Sequence, residues 1–512
     1  MRARRASRIG ALAAAAAAVA ACGSGESILN AGNEVTTTIQ VTTTIPATAA
    51  PGDTLPPTVP TTTTMPPTTT TTPLASLPPC PLDALAEVSA PVELTFWHGL
   101  GTTLEETLTT LTNEYNASQD RVVVRLENQG GYKQTIDKYL QSGQESRPEL
   151  VMFPEYMVQQ IADTGSVVPA GACLEASGFD TAEFLPRALL AYQTEGVQWS
   201  MPFNVSDPIL YYNKRIFEAA GLDPEVPPSS IEDLHTASQA IVDSGAGGVG
   251  ISFDSGVDSG GGWFIEQWFS QAGELYADNG NGRLAPATKV LYAGSAGVEL
   301  LTSVQQLISD GLAVTVGDNA SGQDALLKLA DPNAPAAMTI ATSAALGTVI
   351  SVLDGGLIPG ITSADLGVGP MPGPGEQRSA LVGGASLYVV ADKGDAQAAG
   401  AWDYIEHLVS AESQARWASA TGYVPVRQDA LELEPLATTY AEDPRFRVAY
   451  DQLAVAADDA SAVGPVLGPL REVRSVTAGA VAAIFNGADV AASLAAAAAQ
   501  SDALIADYNA RN

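Results

Sequence analysis

The sequence predicts an α/β protein built as two lobes, on three observations. From Val92 the apolar pattern switches repeatedly between strand-like and helix-like spacing, the alternation that produces mainly parallel sheets covered by helices. After Pro228 a second series of the same kind begins. Every Phe, Trp and Tyr of the 512 residues lies at or after Phe96. The globular chain is thus about 430 residues, which suggests two lobes rather than one core.

Residues 1–21 carry Arg2, Arg4, Arg5 and Arg8, then an apolar run from Ile9 to Ala20 too short to span a bilayer. Small residues Val19, Ala20 and Ala21 precede Cys22, which reads as a lipoprotein-type export signal with Cys22 lipidated after cleavage. An ordinary secretory signal with an incidental cysteine is the alternative. Each buried methylene contributes about 0.8 kcal/mol, so several acyl chains anchor firmly. No later segment offers roughly eighteen uncharged apolar residues, so the chain is expected to be extracytoplasmic and lipid-anchored at the cell membrane without spanning it.

Residues 22–79 form a Thr- and Pro-rich linker with no aromatic residue, unable to bury a core. The run TTTTMPPTTTTTP should be extended, at about 3.1 Å per residue where it is polyproline-like. With Cys22 lipidated, Cys80 and Cys173 remain of three cysteines. In an oxidising compartment they suggest a disulfide pinning the lead-in of the domain, or else two buried free thiols.

Val92 to Phe96 reads as the first strand, and Leu104, Leu108, Leu111 and Tyr115 mark a helical stripe. Arg121 to Leu126 is the next strand, followed by a helix at Ile136 to Leu140, a buried strand at Leu150 to Phe153 and a helix at Tyr156 to Thr164. Ligands sit beyond the carboxyl ends of such strands. Three loops fall there, at Trp97 and His98, at Gly130, Gly131 and Tyr132, and at Pro154 and Glu155.

From Pro202 to Pro228 the chain reads PFNVSDPILYYNKRIFEAAGLDPEVPP. Ile209 to Tyr212 favour a strand, Asn213 opens a short helix, Gly221 stops it, and three prolines prevent its resumption. The second series has helices at Ile231 to Val242, Trp263 to Ala272 and Val298 to Ser309, with strands at Val249 to Phe253, Ala336 to Ile340 and Leu366 to Gly369. Ala385 to Val390 is strongly β-like, Ala396 to Val409 and Ser413 to Ala420 are helical, and Ser475 to Tyr508 is nearly all helix on propensity.

A net charge of −33 disfavours nucleic acid and anionic membrane surfaces as partners, yet one well-placed arginine in a cleft can still receive a small anion. Gly245 to Gly250 fits GxGxxG, but it follows a helix and leads into a strand, the reverse of a dinucleotide-binding turn. Its glycines are better read as a helix cap. His98, His235 and His407 have no metal-ligand spacing, GxSxG does not occur, and DNGNGR at Asp278 to Arg283 misses too many ligand positions for a calcium loop. No metal or cofactor is expected.

Several segments in order, ELTFWHGL, PFNVSDPILYYNK, AGLDPEVPPSS, AAMTIATSAAL, LGVGPMPG, VGGASLYVV and TGYVPV, resemble the extracellular solute-binding proteins of ABC importers. The resemblance runs from about Val92 to Arg474 and is strongest to the glycerol-3-phosphate-binding branch. It implies a two-lobed periplasmic-binding-protein-like fold with crossing hinge strands, near Asn204, Gly383 and Gly422. Lobe I would comprise residues 80–204 and 384–423, and lobe II residues 205–383 and 424–512.

The resemblance also implies a ligand set of Tyr132, Glu155, Ser206, Trp263, Thr342, Gly384, Tyr423 and Arg474. Arg474 and the hydroxyls would take a phosphate, Trp263 would pack on glycerol carbons, and Glu155 would take hydroxyls at the far end, away from phosphate. That branch tends to carry a second Trp where Gly260 stands, so a widened wall would admit a phosphodiester such as glycerophosphocholine. The implied protein is a monomeric, non-enzymatic binder of glycerol 3-phosphate or a glycerophosphodiester, serving an ABC permease and ATPase complex. An oligosaccharide binder is the alternative of the same class. A surface-anchored phosphodiesterase or glycoside hydrolase is the alternative of another class, and it would need converging carboxylates or a metal cluster.

Overall fold

The switch in apolar spacing at Val92 does become a strand followed by a helix, and the same rule carries through both halves of the chain. The computed structural model describes residues 77–317, 323–374, 380–455 and 459–512. The export signal, Cys22 and linker residues 23–76 lie outside the described residues. In chain order the strands are β1 Val92–His98, β2 Val122–Asn128, β3 Leu150–Pro154, β4 Val167–Val168, β5 Gln193–Thr194, β6 Val197–Gln198 and β7 Met201–Ser206. There follow β8 Pro208–Asn213, β9 Val249–Phe253, β10 Ala313–Thr315, β11 Ala336–Thr342, β12 Leu366–Pro370 and β13 Gly383–Val390.

Two sheets divide these strands. The first has the order β2-β1-β3-β13-β4, with β7 also on β13, and the second the order β10-β9-β11-β8-β12. Neither is as parallel as the alternation suggests. In the first sheet β1 is parallel to β2 and β3, but β13 is antiparallel to β3, β4 and β7. In the second β9 is parallel to β10 and β11, but β8 is antiparallel to β11 and β12. The reason is the crossing between lobes. A strand arriving from the other lobe enters at the carboxyl edge and has to run back through the sheet. Gly383 and Ala385 thus stand opposite Ser206 and Pro154, and Pro208 opposite Thr342. Only Asp207 separates β7 in one sheet from β8 in the other.

Local signals set most element ends. Asn213 caps the Lys214–Ala219 helix by accepting from the amides of Arg215 and Ile216. Ser230 and Asp233 form a reciprocal capping box on the Ile231–Ser244 helix. The tail differs from expectation. It is two helices, Leu470–Phe485 and Val490–Asn509, broken because the Asp489 side chain accepts from the amide of Ala492 and starts a new helix. The first begins at Leu470, which places Arg471 and Arg474 in its opening turns.

The core of the first lobe gathers Leu94, Phe96, Leu108, Leu111, Leu387, Trp402 and Tyr404, all buried. Leu77 already packs against it, and Cys80 is disulfide-bonded to Cys173 in the Ala170–Ser177 helix. That bond closes a sequence separation of 93. Replacing both cysteines by serine should lower unfolding stability by about 2–4 kcal/mol, because an unfolded chain freed of so long a loop gains entropy. Denaturant midpoints at unchanged m-value measure it, and an unmoved midpoint would mean the bond adds nothing.

Candidate functional site

The carboxyl edges of the two sheets meet along the seam between the lobes, and the loops that follow the strands supply its side chains. Tyr132 opens the helix after β2, and its hydroxyl accepts from Asn204 Nδ2 at 2.8 Å. Burial pushes its pKa far up, and the hydroxyl of Tyr423 beside it adds to the effect. Tyr423, buried, stacks on Trp417 with ring centroids 5.6 Å apart. Tyr192 is fully buried within the fields of Glu155, Tyr388 and Tyr423, and its hydroxyl has no hydrogen-bond partner among the described residues. Ser206 ends β7 two residues beyond Asn204, opposite Gly383.

Gly384 has φ +88°, and a Cβ there would lie 1.9 Å from the carbonyl oxygen of Asn204. Only glycine permits that approach, which brings β13 close against β7 at the hinge. Trp263 lies over the neighbouring Gly383, where a Cβ would meet its ring at 2.2 Å. Trp263 is 5% exposed, and its Nε1 has no partner among the described residues. Thr342 ends β11, where its hydroxyl accepts from the Ala344 amide at 3.3 Å as a helix cap.

Arg474 is the centre of charge. Its Nε and Nη2 donate to the two oxygens of Glu266 at 2.6 and 2.7 Å, and Nη2 lies 2.8 Å from Glu155 Oε1. Arg474 and Glu266 are each 2% exposed. The guanidinium also stands 4.9 Å from the ring centroid of Tyr156. Burial works against its charge, but the fields of Glu266, Glu155 and Asp258 more than offset that and hold it firmly protonated. Burial pushes Glu155 up to about 7 although Arg474 pulls it down. Asp258 is raised too, by burial, against the pull of Arg474 and Arg471.

Further bonds clasp the lobes around this centre. Arg471 Nη1 donates to Asp137 at 2.9 Å, and the Tyr508 hydroxyl to Asp163 at 2.6 Å. Arg283 Nη1 donates to the carbonyls of Leu190 and Gln193 at 2.9 and 3.3 Å. A groove of 1480 Å³ elsewhere, lined by His235, Gln271, Glu299 and Gln306, includes none of the residues above.

Seven of the eight expected ligand residues are therefore linked by contacts into one neighbourhood, with Thr342 at its margin, occupied as a cap. Two expectations need correction. Glu155 is not at the far end from Arg474 but in contact with it, because a guanidinium buried to this depth draws counter-charges from the protein itself. Gly260 does not mark a wall removed from the cleft. A Cβ there would lie 1.9 Å from the Asp254 carbonyl oxygen, so the turn from Asp254 to Gly262 excludes any side chain at that point.

Asn204, expected only as the place of a crossing, was not anticipated as a site residue, nor were Tyr192, Asp258 and Glu266. Glu266 had a readable signal, a lone carboxylate in the apolar helical run WFIEQW, which can be buried only with a partner. Nothing local marks the others.

The chain matches the bacterial extracellular solute-binding protein family over residues 110–448. It is 27% identical over 410 residues to the sn-glycerol-3-phosphate-binding periplasmic protein UgpB of Rhizobium meliloti, covering 78% of this chain and 90% of the relative. It is 24% identical over 416 residues to the protein of that name from Escherichia coli O6:K15:H31, covering 79% and 90%. Among solved structures, UgpB from Mycobacterium tuberculosis in complex with glycerophosphocholine superposes with a TM-score of 0.67 at 20% identity, over 82% of this chain and all of that one. The cyclic α-maltosyl-1,6-maltose binding protein from Arthrobacter globiformis gives 0.65 at 22% identity, over 81% and 99%. These structural likenesses establish the two-lobed fold.

A pH dependence follows from Glu155. Between the ordinary glutamate value and about 7 the folded protein holds a proton that the unfolded chain releases. The contribution of this group is therefore full below the ordinary value and is lost as pH rises through about 7. Stability of Glu155→Gln measured from pH 4.5 to 8 should fall less with rising pH than that of the wild type. Parallel curves would show that folding leaves the ionisation of Glu155 unshifted.

Proposed function

The chain belongs to the bacterial extracellular solute-binding proteins, and from that premise we propose that it captures glycerol 3-phosphate or a glycerophosphodiester such as glycerophosphocholine between its lobes. It would hand this cargo to an ABC permease and ATPase complex while lipid on Cys22 holds it at the outer face of the membrane. The observation that carries this reading is the buried Arg474, oriented by two bonds to Glu266 of its own lobe and met by Glu155 from across the seam. Bidentate support fixes the plane of the guanidinium and turns its remaining edge to the seam. There an anionic oxygen can replace or share the Glu155 contact. Tyr132, Tyr423 and Ser206 supply hydroxyls, Gly384 an amide, and Trp263 an apolar wall with one free N–H.

A sugar platform fits less well. The ring of Trp263 lies against Gly383, and the guanidinium of Arg474 occupies the surroundings of the Tyr156 ring. A hydrolase also fits less well. Glu266 has both oxygens on the guanidinium and none to spare as an acid or base.

Micromolar capture requires about 8 kcal/mol, within reach of one charged clamp, several hydroxyl contacts and an apolar wall. The test is titration calorimetry with glycerol 3-phosphate, glycerophosphocholine and maltose. Arg474→Ala combined with Glu266→Gln, which leaves no orphaned carboxylate at that pair, should weaken phosphate-ligand binding by at least about 2 kcal/mol, or roughly 30-fold. Unchanged affinity in a variant folded by circular dichroism would remove Arg474 from the site, and binding of maltose alone would replace this reading with the sugar one.

A further inference from the structure

Arg283 and Tyr508, far apart in sequence and both outside the expected ligand set, reach across the seam from one short stretch of the second lobe. Val463 to Gly468, which leads into the Leu470–Phe485 helix, seats them both. Arg283 donates from Nε to the carbonyl of Gly464 at 2.8 Å and from Nη2 to that of Val463 at 3.1 Å. With those two nitrogens held, Nη1 is turned to the carbonyls of Leu190 and Gln193 in the first lobe. The ring of Tyr508 lies against Gly468, where a Cβ would meet it at 2.0 Å, so only glycine admits it. From that seat the hydroxyl donates to Asp163 Oδ2 of the first lobe at 2.6 Å.

The acceptors in the first lobe also form one unit. Gln159 Nε2 donates to the other oxygen of Asp163 at 2.9 Å, and Thr194 Oγ1 donates to Gln159 Oε1 at 2.5 Å. Thr194 follows Gln193, so the Val158–Asp163 helix and the β5–β6 hairpin are tied together behind both contacts. From Gln193 the bonds continue inward, Nε2 to Gln198 Oε1 at 2.8 Å and Gln198 Nε2 to the Ser200 carbonyl at 2.7 Å. The Ser200 hydroxyl meets that of Ser386 at 2.7 Å, on β13 just beyond Gly384 at the hinge.

Bonds of this kind suit a contact that has to open. Arg283 and Tyr508 are half-buried and Asp163 is exposed, so on separation each group passes to water and not to an unsatisfied interior. Arg283 makes no ion pair among the described residues, so parting it from the first lobe strands no carboxylate. The Arg474–Glu266 pair, each member 2% exposed, lacks that freedom and lies within a single lobe. One such bond is worth about a two- to tenfold change in an equilibrium, and the bonds of both residues together can shift the balance between closed and open lobes by about tenfold or more. A closed form favoured in this way keeps more of the intrinsic affinity of the cleft, for any cargo.

Resting on the reading of a cargo held between the lobes, we propose that Arg283 and Tyr508 are positioning residues that latch the Val463–Gly468 stretch to the first lobe and set how long a cargo stays, whatever its chemistry. The latch acts through the helix that follows this stretch. When it is closed, Arg471 and Arg474 in the opening turns of that helix stand against Asp137 and Glu155. Cargo release then waits on the latch.

The test is stopped-flow dissociation of glycerol 3-phosphate and glycerophosphocholine from the purified chain and from Tyr508→Phe, which deletes one oxygen and leaves the ring on Gly468. Dissociation should quicken by about threefold or more, by a common factor for both compounds, and Arg283→Met combined with Tyr508→Phe should quicken it by about tenfold or more. Spin-label distances between exposed positions of the two lobes, measured on the cargo-free chain, should lengthen in the same variants. Unchanged dissociation would overturn the proposal, including where unfolding stability falls, since the bonds would then be ordinary structural ones. A loss that differs between cargoes would overturn it as well, by putting these residues in recognition. Binding of maltose with no phosphate compound would remove the phosphate reading alone, and the same quickening is then expected of maltose.

Discussion

Arg474 is a permanent positive charge placed where water does not reach, and the seam between the lobes is organised around satisfying it. Isolated, such a charge would carry a desolvation penalty of several kcal/mol. Glu266 meets it with two charge-assisted bonds from the same lobe, so the guanidinium keeps its orientation whatever the other lobe does. Glu155 meets it from across the seam. The position of one lobe relative to the other therefore changes the electrostatics of the arginine, and any anion that enters competes with Glu155 for the same edge.

Topology makes this arrangement available. Because each crossing strand enters its sheet at the carboxyl edge, the hinge and the ligand loops occupy the same end of both sheets. The close approach of Gly384 to the Asn204 carbonyl joins β13 to β7 there, and Asn204 in turn donates to Tyr132. The Tyr132 hydroxyl, Asn204 and the Gly384 backbone thus gather at the hinge through strand order, without any sequence motif of their own. A residue larger than glycine at 384 would separate the two strands and disperse the group.

This explains what could and could not be read from sequence. Spacing located most of the elements it named to within a few residues, and Val249–Phe253 to the residue, because burial of one face imposes a period that a single chain displays, whereas short elements such as Gln193–Thr194 and Ala313–Thr315 are too brief to show one. The break at Asp489 was missed because alanine propensity masked a capping residue. The site residues came from resemblance, since Tyr132 and Tyr423 look like any amphipathic aromatic. The Arg474–Glu266 pair joins positions 208 apart, and no local pattern announces such a pair. Glu155 was placed wrongly for a related reason. Its chemistry was assigned by supposing that the ligand supplies all the charge Arg474 needs, whereas a buried arginine must first be balanced by the protein. Gly260 was read as a missing wall when its backbone was what the turn required.

The same balance extends to the hinge. Asp207, the single residue between β7 and β8, is fully buried, and burial drives its pKa well above the usual carboxylate range although Gln452 Nε2 donates to Oδ2 at 2.9 Å. Burial there favours its neutral form over a charged one where the lobes pivot. Glu155 at the seam is driven the same way, whereas Asp137, beside Arg471 and Lys133, is driven down. The charged form is thus favoured at Asp137, paired with two cations, and disfavoured by burial at Asp207 and Glu155. In an acidic chain a single guanidinium can dominate its surroundings only where the carboxylates around it are paired or driven towards neutrality, and the seam meets that condition at Glu266 and Glu155.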